Sequence, residues 1–517
     1  MKIPLSPLSA VLRALTVHAL RPALHAPDTE VMTYADLAGA TARLVTHLRN
    51  LGVQTGAHVL LIGPNTTDAL LAFHAVPLAG AVIVPLNPAF PDDALRFLAQ
   101  HAQPAAALVD TRDLPRVQDT LTALNVPVVP TGPGAPLLER LGGLSPAPLT
   151  LPDTLDEDQP ISINYTSGTT SDPKGVMLTH RAAFVNQANL LYHLNLRPPS
   201  RYLHALPLTH GNGWGAPWTV SAAGATHLLP GDSLRADLLT RGVTHLCASP
   251  ALLAPLSDPA APLTLGSPTR VLVAGTSPGP RLLGTLTAQG FEVLHGYGLI
   301  ETSAILTLTD PADLPPAPPG QPPEALTRQG HPMAFAGEVR AVTEDGQPVP
   351  HDGFTPGEIV VRSNQVMRGY HRNRAATRRA LEGGWLHTGD LAVTHPDGRL
   401  EILDRAGDLL HLGGQPVSSA QVEAALYRHP SVREAVVVAA PHPDAGQIAV
   451  AFVTLHPGAQ VQGRELQRFC EPLLPAHACP RRVHVVTDLP KTASGKVLRH
   501  VLRRRAASPE TSAAGLR

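Results

Sequence analysis

Between residues 33 and 109 short apolar runs alternate with helical stripes, and that alternation leaves the chain few architectures. Leu37, Leu44, Leu48 and Leu51 mark one helix face, closed by Gly52, with Thr33 and Asp36 placed to cap its start. Residues 59–62 then read as a buried strand, 66–76 as a helix, 82–84 as a strand, 91–100 as a helix and 106–109 as a strand. Strands and helices in alternation build a layered domain around a largely parallel sheet. From Ser418 the pattern changes. Helices at 418–428 and 464–474 and strands at 436–439, 448–455 and 483–486 describe a small α+β unit.

The first stretch with chemistry is Tyr165-Thr166-Ser167-Gly168-Thr169-Thr170-Ser171-Asp172-Pro173-Lys174-Gly175. A strand end precedes it and a helix from His180 follows. Hydroxyls and backbone N–H groups in such a loop suit phosphate oxygens, with Lys174 as a point charge. The spacing is not that of a Walker A loop. Taken alone the stretch is equally a flexible linker. The lysine count decides between the two. Of 40 Lys and Arg residues only Lys2, Lys174, Lys491 and Lys496 are lysines, and three of these sit in two Gly/Ser/Thr-rich stretches. An ammonium is not interchangeable with a guanidinium fork, so these lysines read as functional.

Composition removes several classes. A net charge of −1 without a basic stripe argues against nucleic acid. Cys247, Cys470 and Cys479 have no metal spacing, which fits a reducing, cytoplasmic setting. No apolar run is long enough to span a bilayer, and the first 25 residues lack a signal peptide's apolar core, so an amphipathic first helix is expected. Residues 310–323 and the tail from about 504 read as loose.

Further glycine-rich stretches follow in order: Leu206-Pro207-Leu208-Thr209-His210-Gly211-Asn212-Gly213-Trp214, Gly275-Thr276-Ser277-Pro278, His295-Gly296-Tyr297-Gly298-Leu299-Ile300-Glu301-Thr302, Gly384-Trp385-Leu386-His387-Thr388-Gly389-Asp390, Asp404-Arg405-Ala406-Gly407-Asp408 and Leu489-Pro490-Lys491-Thr492-Ala493-Ser494-Gly495-Lys496. With the hydroxyl loop, this series resembles the signatures of the adenylate-forming superfamily, and the stretch 469–499 is similar to fatty and aliphatic acyl-CoA synthetases.

The resemblance implies the fold class and the roles. The fold is α/β: a large layered α/β N-terminal domain with an associated β-rich subdomain over 1–403, a small mobile α+β C-terminal domain over 404–503 with its hinge at Asp404, and a flexible tail over 504–517. Thr166, Ser167, Gly168, Thr169, Thr170 and Lys174 would hold the leaving phosphates. Glu301, with Thr166, would serve Mg²⁺, which commonly takes one or two carboxylates plus substrate phosphates. Gly275, Gly296, Tyr297, Gly298 and Thr302 would line the adenine and phosphate site, the glycines by letting backbone approach the ligand. Asp390 and Arg405 would hold the ribose. His210 would lie by the acyl carboxylate, Trp214 would gate an acyl tunnel, and Gly414 would border the CoA channel. Lys496 would bridge carboxylate and α-phosphate.

The implied activity is an AMP-forming acyl-CoA synthetase of fatty acid metabolism. It uses ATP, Mg²⁺ and CoA on a carboxylic acid of medium or longer chain, with a possible homodimer. Phosphoryl-type chemistry of this kind needs positioning and charge neutralisation more than a protein nucleophile. The chain departs from the family at Ser171 (usually Gly), Ile300 (usually Thr), Gly407 (often Lys) and Gln415 (often Glu). Two other readings therefore stand beside it: an enzyme that loads a carrier protein, and a weakly active or non-catalytic nucleotide- and acyl-binding relative.

Overall fold

The structure is a computed structural model that describes residues 3–27, 29–153, 155–166, 173–258, 261–315, 324–412, 415–443, 445–456, 458–491 and 497–507. Two large sheets form its body. One has the spatial order Gly369–Tyr370, Gly175–Thr179, Pro160–Tyr165, Val82–Leu86, His58–Ile62, Ala106–Asp110, Val128–Thr131. Its strands from Pro160–Tyr165 onward are parallel, while Gly175–Thr179 and Gly369–Tyr370 join antiparallel at one edge. The other sheet has a parallel centre that includes Arg201–Leu203, His245–Ala248, Thr269–Val273 and Phe291–Leu299, with Ala304–Thr309 added antiparallel.

The alternating pattern from residue 33 to 109 is the first half of this arrangement. Thr33 and Asp36 form a reciprocal capping box at the start of helix Tyr34–Asn50. Helix Thr67–Leu78 is buried from Asp68 to Leu78 on every side. A helix apolar all round must be enclosed. Its Leu71 and Phe73 belong to the core against the first sheet, and its Leu70 packs with Leu24 and Leu229 at the second. The helix is thus the filling between the sheets. Trp218, on helix Ala216–Ala222, locks to it by donating Nε1–H to Phe73 O at 2.8 Å. Tyr34 ties the same layer to the second sheet through its hydroxyl on Ala225 O at 2.6 Å.

An antiparallel sheet of Glu338–Val342, Gly357–Arg362, Leu386–Thr394 and Leu400–Arg405 is the β-rich subdomain. Its last strand leads directly into the small unit. That unit has the hairpin Val432–His442 with Gly446–Leu455, the parallel strand Arg482–Val485, and helices Ser419–Tyr427, Gly463–Cys470 and Arg499–Ala507. The expected helix at 464–474 stops at Cys470, because Leu473 and Leu474 N–H both turn back to Cys470 O ahead of Pro475. Helix Arg499–Ala507 also runs through residue 504, where a flexible tail was expected. Residues 508–517, and 316–323 of the loose Pro-rich stretch, lie outside the described residues. No described helix is long and apolar enough to cross a membrane.

Candidate nucleotide and acyl site

The hydroxyl loop leaves the carboxyl end of strand Pro160–Tyr165 and returns as Gly175–Thr179. Thr166 N–H donates to Lys174 O at 3.1 Å and so closes the loop's stem. Ser167, Gly168, Thr169 and Thr170 lie outside the described residues, as do Gly414 and Lys496. Lys174 projects its ammonium over the ring of Tyr370, 5.1 Å from the centroid. Tyr370 in turn donates its hydroxyl to Glu301 Oε1 at 2.9 Å. The lysine and the carboxylate proposed for the phosphate end are therefore brought to the two sides of one aromatic ring. Burial first, and the Glu301 charge second, raise the Tyr370 hydroxyl's pKa, so it stays a donor. Sequence reading missed Tyr370. Only the pairing of Gly369–Tyr370 with Gly175–Thr179 places it here.

Behind the loop, a second group gathers the residues expected at the acyl end. Gly211, Asn212, Gly213 and Trp214 all adopt φ between 53 and 59°, a left-handed turn. Two of these are not glycine, and each such residue costs about 1–2 kcal/mol. The turn is held by Asn212, whose N–H donates to Asn164 Oδ1 at 3.1 Å and whose Nδ2 donates to Ser162 Oγ at 2.8 Å. Asn186 Nδ2 fastens Trp214 O at 3.1 Å. The indole is 9% exposed. A methyl group added at Gly211 would lie 3.7 Å from its Cδ1 and 3.9 Å from Ile300 Cγ1, and one added at Gly275 would lie 4.0 Å from its Cζ2. Trp214 thus spans from its own turn to the Gly275 turn, with Ile300 beside it. His210, partly exposed, opens the turn, with Gly213 N–H on its carbonyl at 3.0 Å.

The third group holds the residues expected at the ribose. Tyr297 donates its hydroxyl to Asp390 Oδ2 at 2.6 Å, and Arg405 Nε stands 3.2 Å from Asp390 Oδ1. Burial, then the Asp390 charge, keep the Tyr297 hydroxyl protonated far above its ordinary range. Asp404 points elsewhere. Its Oδ2 accepts Ser419 N–H at 2.6 Å, at the start of helix Ser419–Tyr427.

Thr302 is fully buried, and its hydroxyl is spent inside its own turn, on Leu299 O and Ala304 O and as acceptor from Leu299 N–H. Gly296 and Gly298 are crowded by the neighbouring strand. A Cβ at Gly296 would sit 2.9 Å from Thr307 O, and one at Gly298 would fall on Ala304 O, at the bulge between Tyr297 and Gly298. Among the described residues no group of three His, Cys, Asp or Glu side chains could hold a metal ion. Glu301 instead offers one carboxylate whose second oxygen has no partner among them, which fits a Mg²⁺ ion that brings phosphate and water ligands with it.

Fold and site together define a two-domain, nucleotide-using enzyme. Residues 12–371 match the family described as AMP-binding enzyme, and residues 421–496 match the AMP-binding enzyme C-terminal domain. The acetate–CoA ligase CCL3 of Humulus lupulus is 35% identical, over 97% of this chain and 94% of its own. The peroxisomal acetate/butyrate–CoA ligase AAE7 of Arabidopsis thaliana is 33% identical over the same shares. The crystal structure of ATP-bound MatB from Rhodopseudomonas palustris superposes with a TM-score of 0.88 at 25% identity, over 97% of this chain and 99% of that one. The chain belongs to the AMP-binding, adenylate-forming enzyme family, and within it is an AMP-forming acid–thiol ligase.

Proposed function

We propose that this enzyme adenylates a short aliphatic carboxylic acid, in the range from acetate to butyrate, and passes the acyl group to CoA. The observation that carries the substrate class is Trp214. Its indole reaches from a braced left-handed turn to Gly275, beside Ile300, and in this reading it would bound the space open to a hydrocarbon chain. The expectation of a medium or longer acid treated the same residue as a movable gate. A side chain whose backbone is tied through Asn212 and Asn186 favours a wall over a gate. The names of relatives that act on acetate and butyrate favour it as well.

In the first half-reaction a carboxylate oxygen attacks the α-phosphorus of ATP, and pyrophosphate leaves. Lys174 faces the leaving phosphates across Tyr370. Glu301 would hold Mg²⁺, which neutralises phosphate charge when bound. Tyr370 fixes the Glu301 rotamer for that task. Asp390 would accept from the ribose hydroxyls, and Arg405 compensates its charge. His210 would stand at the acyl carboxylate, and Lys496 would bridge that carboxylate and the α-phosphate. In the second half-reaction the small unit turns about Asp404, and the CoA thiolate attacks the acyl carbonyl past Gly414, expelling AMP.

Pyrophosphate release across acetate, butyrate, octanoate, palmitate and benzoate, with and without CoA, tests the reading. Acetate to butyrate should give the highest kcat/KM, and Trp214→Gly should move the optimum to longer acids. A preference for palmitate or benzoate in the native chain would overturn the substrate class. AMP formation without thioester would overturn the acceptor.

A further inference from the structure

Strand Gly369–Tyr370 runs toward the stem of the phosphate loop, where His371 N–H donates to Gly175 O at 2.7 Å. From there the chain turns away from the sheet. The twelve residues from Arg368 to Arg379 hold five arginines and no acid: Arg368, Arg372, Arg374, Arg378 and Arg379. All five are exposed, and none forms an ion pair with a described carboxylate. Among the described residues, their guanidinium groups make one hydrogen bond, a long contact of 3.4 Å from Arg368 Nη1 to Asp158 O. Of the nearby acids, Glu157 and Asp158 are paired with Arg181 and Glu301 is turned to Tyr370, which leaves exposed Glu382, just past the helix, as one carboxylate against five arginines.

In a chain of net charge −1 this concentration is local. It is also held at a cost. Arg372 adopts φ 55°, a conformation that favours glycine, and like charges crowd the short helix Arg374–Ala380. Arg378 and Arg379 stand in the last turn of that helix, where cations suit its dipole, whereas the left-handed backbone at Arg372 has no such return. Together they place cations on the surface that continues from Tyr370, the ring between Lys174 and Glu301.

We propose that residues 368–379 form a capture surface for polyphosphate, which concentrates the highly charged substrate at the rim of the phosphate loop before it settles between Lys174 and Glu301. The inference rests on that reading of the phosphate end. A cleft lined by one sign of charge raises association rates and leaves the bound state little changed. Both the triphosphate of ATP and the phosphates of CoA have this chemistry. Adjacency to Lys174 assigns the surface to ATP.

The test is stopped-flow association of a fluorescent ATP analogue with the full chain and with R374E/R378E/R379E. At low ionic strength the variant should associate on the order of tenfold more slowly. The difference should close at about 0.5 M salt, with the dissociation rate unchanged. The charge-matched control R13E/R49E/R464E, at exposed arginines elsewhere, should lose far less. Arg372→Gly should slow association while keeping or raising Tm, because glycine relieves the left-handed backbone. Equal association by native chain and patch variant, an equal loss in the control, or a fall in Tm for Arg372→Gly would overturn the proposal. Slower thioester formation from supplied acyl-adenylate, with ATP association unaltered, would reassign the surface to the phosphates of CoA. A native chain that binds no ATP at equilibrium would overturn the reading of the phosphate end itself, and this proposal with it.

Discussion

Acidification from pH 7 to pH 5 should unfold this enzyme, and the reason is a chain of buried histidines beneath the site. His74 Nδ1 meets Leu70 O at 2.8 Å, so that nitrogen carries the proton. His74 Nε2 must then accept, and the hydroxyl of Ser221 donates to it at 2.8 Å. Ser221 has no second proton, so His227 Nε2 donates to Ser221 Oγ at 2.8 Å. His227 Nδ1 in turn accepts from His204 Nε2 at 2.8 Å. Every link has one direction, and all three rings are neutral. A further proton on His227 would set two donors against each other, and one on His74 would turn the Ser221 hydroxyl away from its acceptor. Burial pushes His74 down to about 4 and His204 to about 3, and takes His227 well below its ordinary value. The sign follows from linkage. A histidine whose folded pKa is depressed contributes full stability above the unfolded value near 6.5 and loses it as pH falls toward the folded value. At pH 5 the folded values of His74 and His204 lie below the solution pH, so each of these two rings costs about 2 kcal/mol relative to pH 7, and His227 acts in the same direction. That is a large part of the stability of many proteins, about 5–15 kcal/mol. Urea unfolding followed by tryptophan fluorescence at half-unit pH steps would measure it. The midpoint should fall steeply between pH 6.5 and 5. A midpoint flat to pH 5 would refute the neutral, one-way chain.

Tyr370→Phe keeps the ring under Lys174 but removes the hydroxyl from Glu301, a bond to a charged group worth about 1.5–3 kcal/mol. Adenylation measured by pyrophosphate release should drop on the order of tenfold or more, with acid KM little changed. Ile300→Thr replaces a branched apolar group beside Trp214 with a hydroxyl, and should raise the adenylation rate by roughly one charge-assisted hydrogen bond. An unchanged rate would mean that no phosphate oxygen comes within its reach. Lys496→Ala should cost adenylation on the order of 10²–10³ and spare thioester formation from supplied acyl-adenylate. Gly414→Leu should do the reverse, and equal losses in both half-reactions would exclude a two-conformation cycle.

The layered body was legible because its signals are local. The Thr33–Asp36 box and the apolar stripes act within a turn or two of chain, and the structure places those elements within a few residues of expectation. The site was legible only as separate glycine-rich stretches. What joins them spans long distances in sequence: Tyr370 to Glu301 across 69 residues, Tyr297 to Asp390 across 93, and Asn212 to Ser162 across 50. No periodicity reports such pairs. Glycine carries more than one signal. Gly296 and Gly298 relieve a strand contact that the sequence does not announce. In the turn at 211–214, Asn212 and Trp214 share the left-handed conformation without the residue type that announces it.

Strand Leu400–Arg405 ends on two residues whose side chains leave on opposite sides, as successive strand residues must. Arg405 goes to Asp390 in the ribose cluster, and Asp404 goes to Ser419 in the small unit. On the proposed roles, the grip on the nucleotide and the pivot of the small unit would be adjacent links of one backbone. A torsion at Asp404 large enough to swing the small unit would then also load the guanidinium beside Asp390. The timing of AMP departure would in that sense be geared to the swing itself, with no messenger needed between the two.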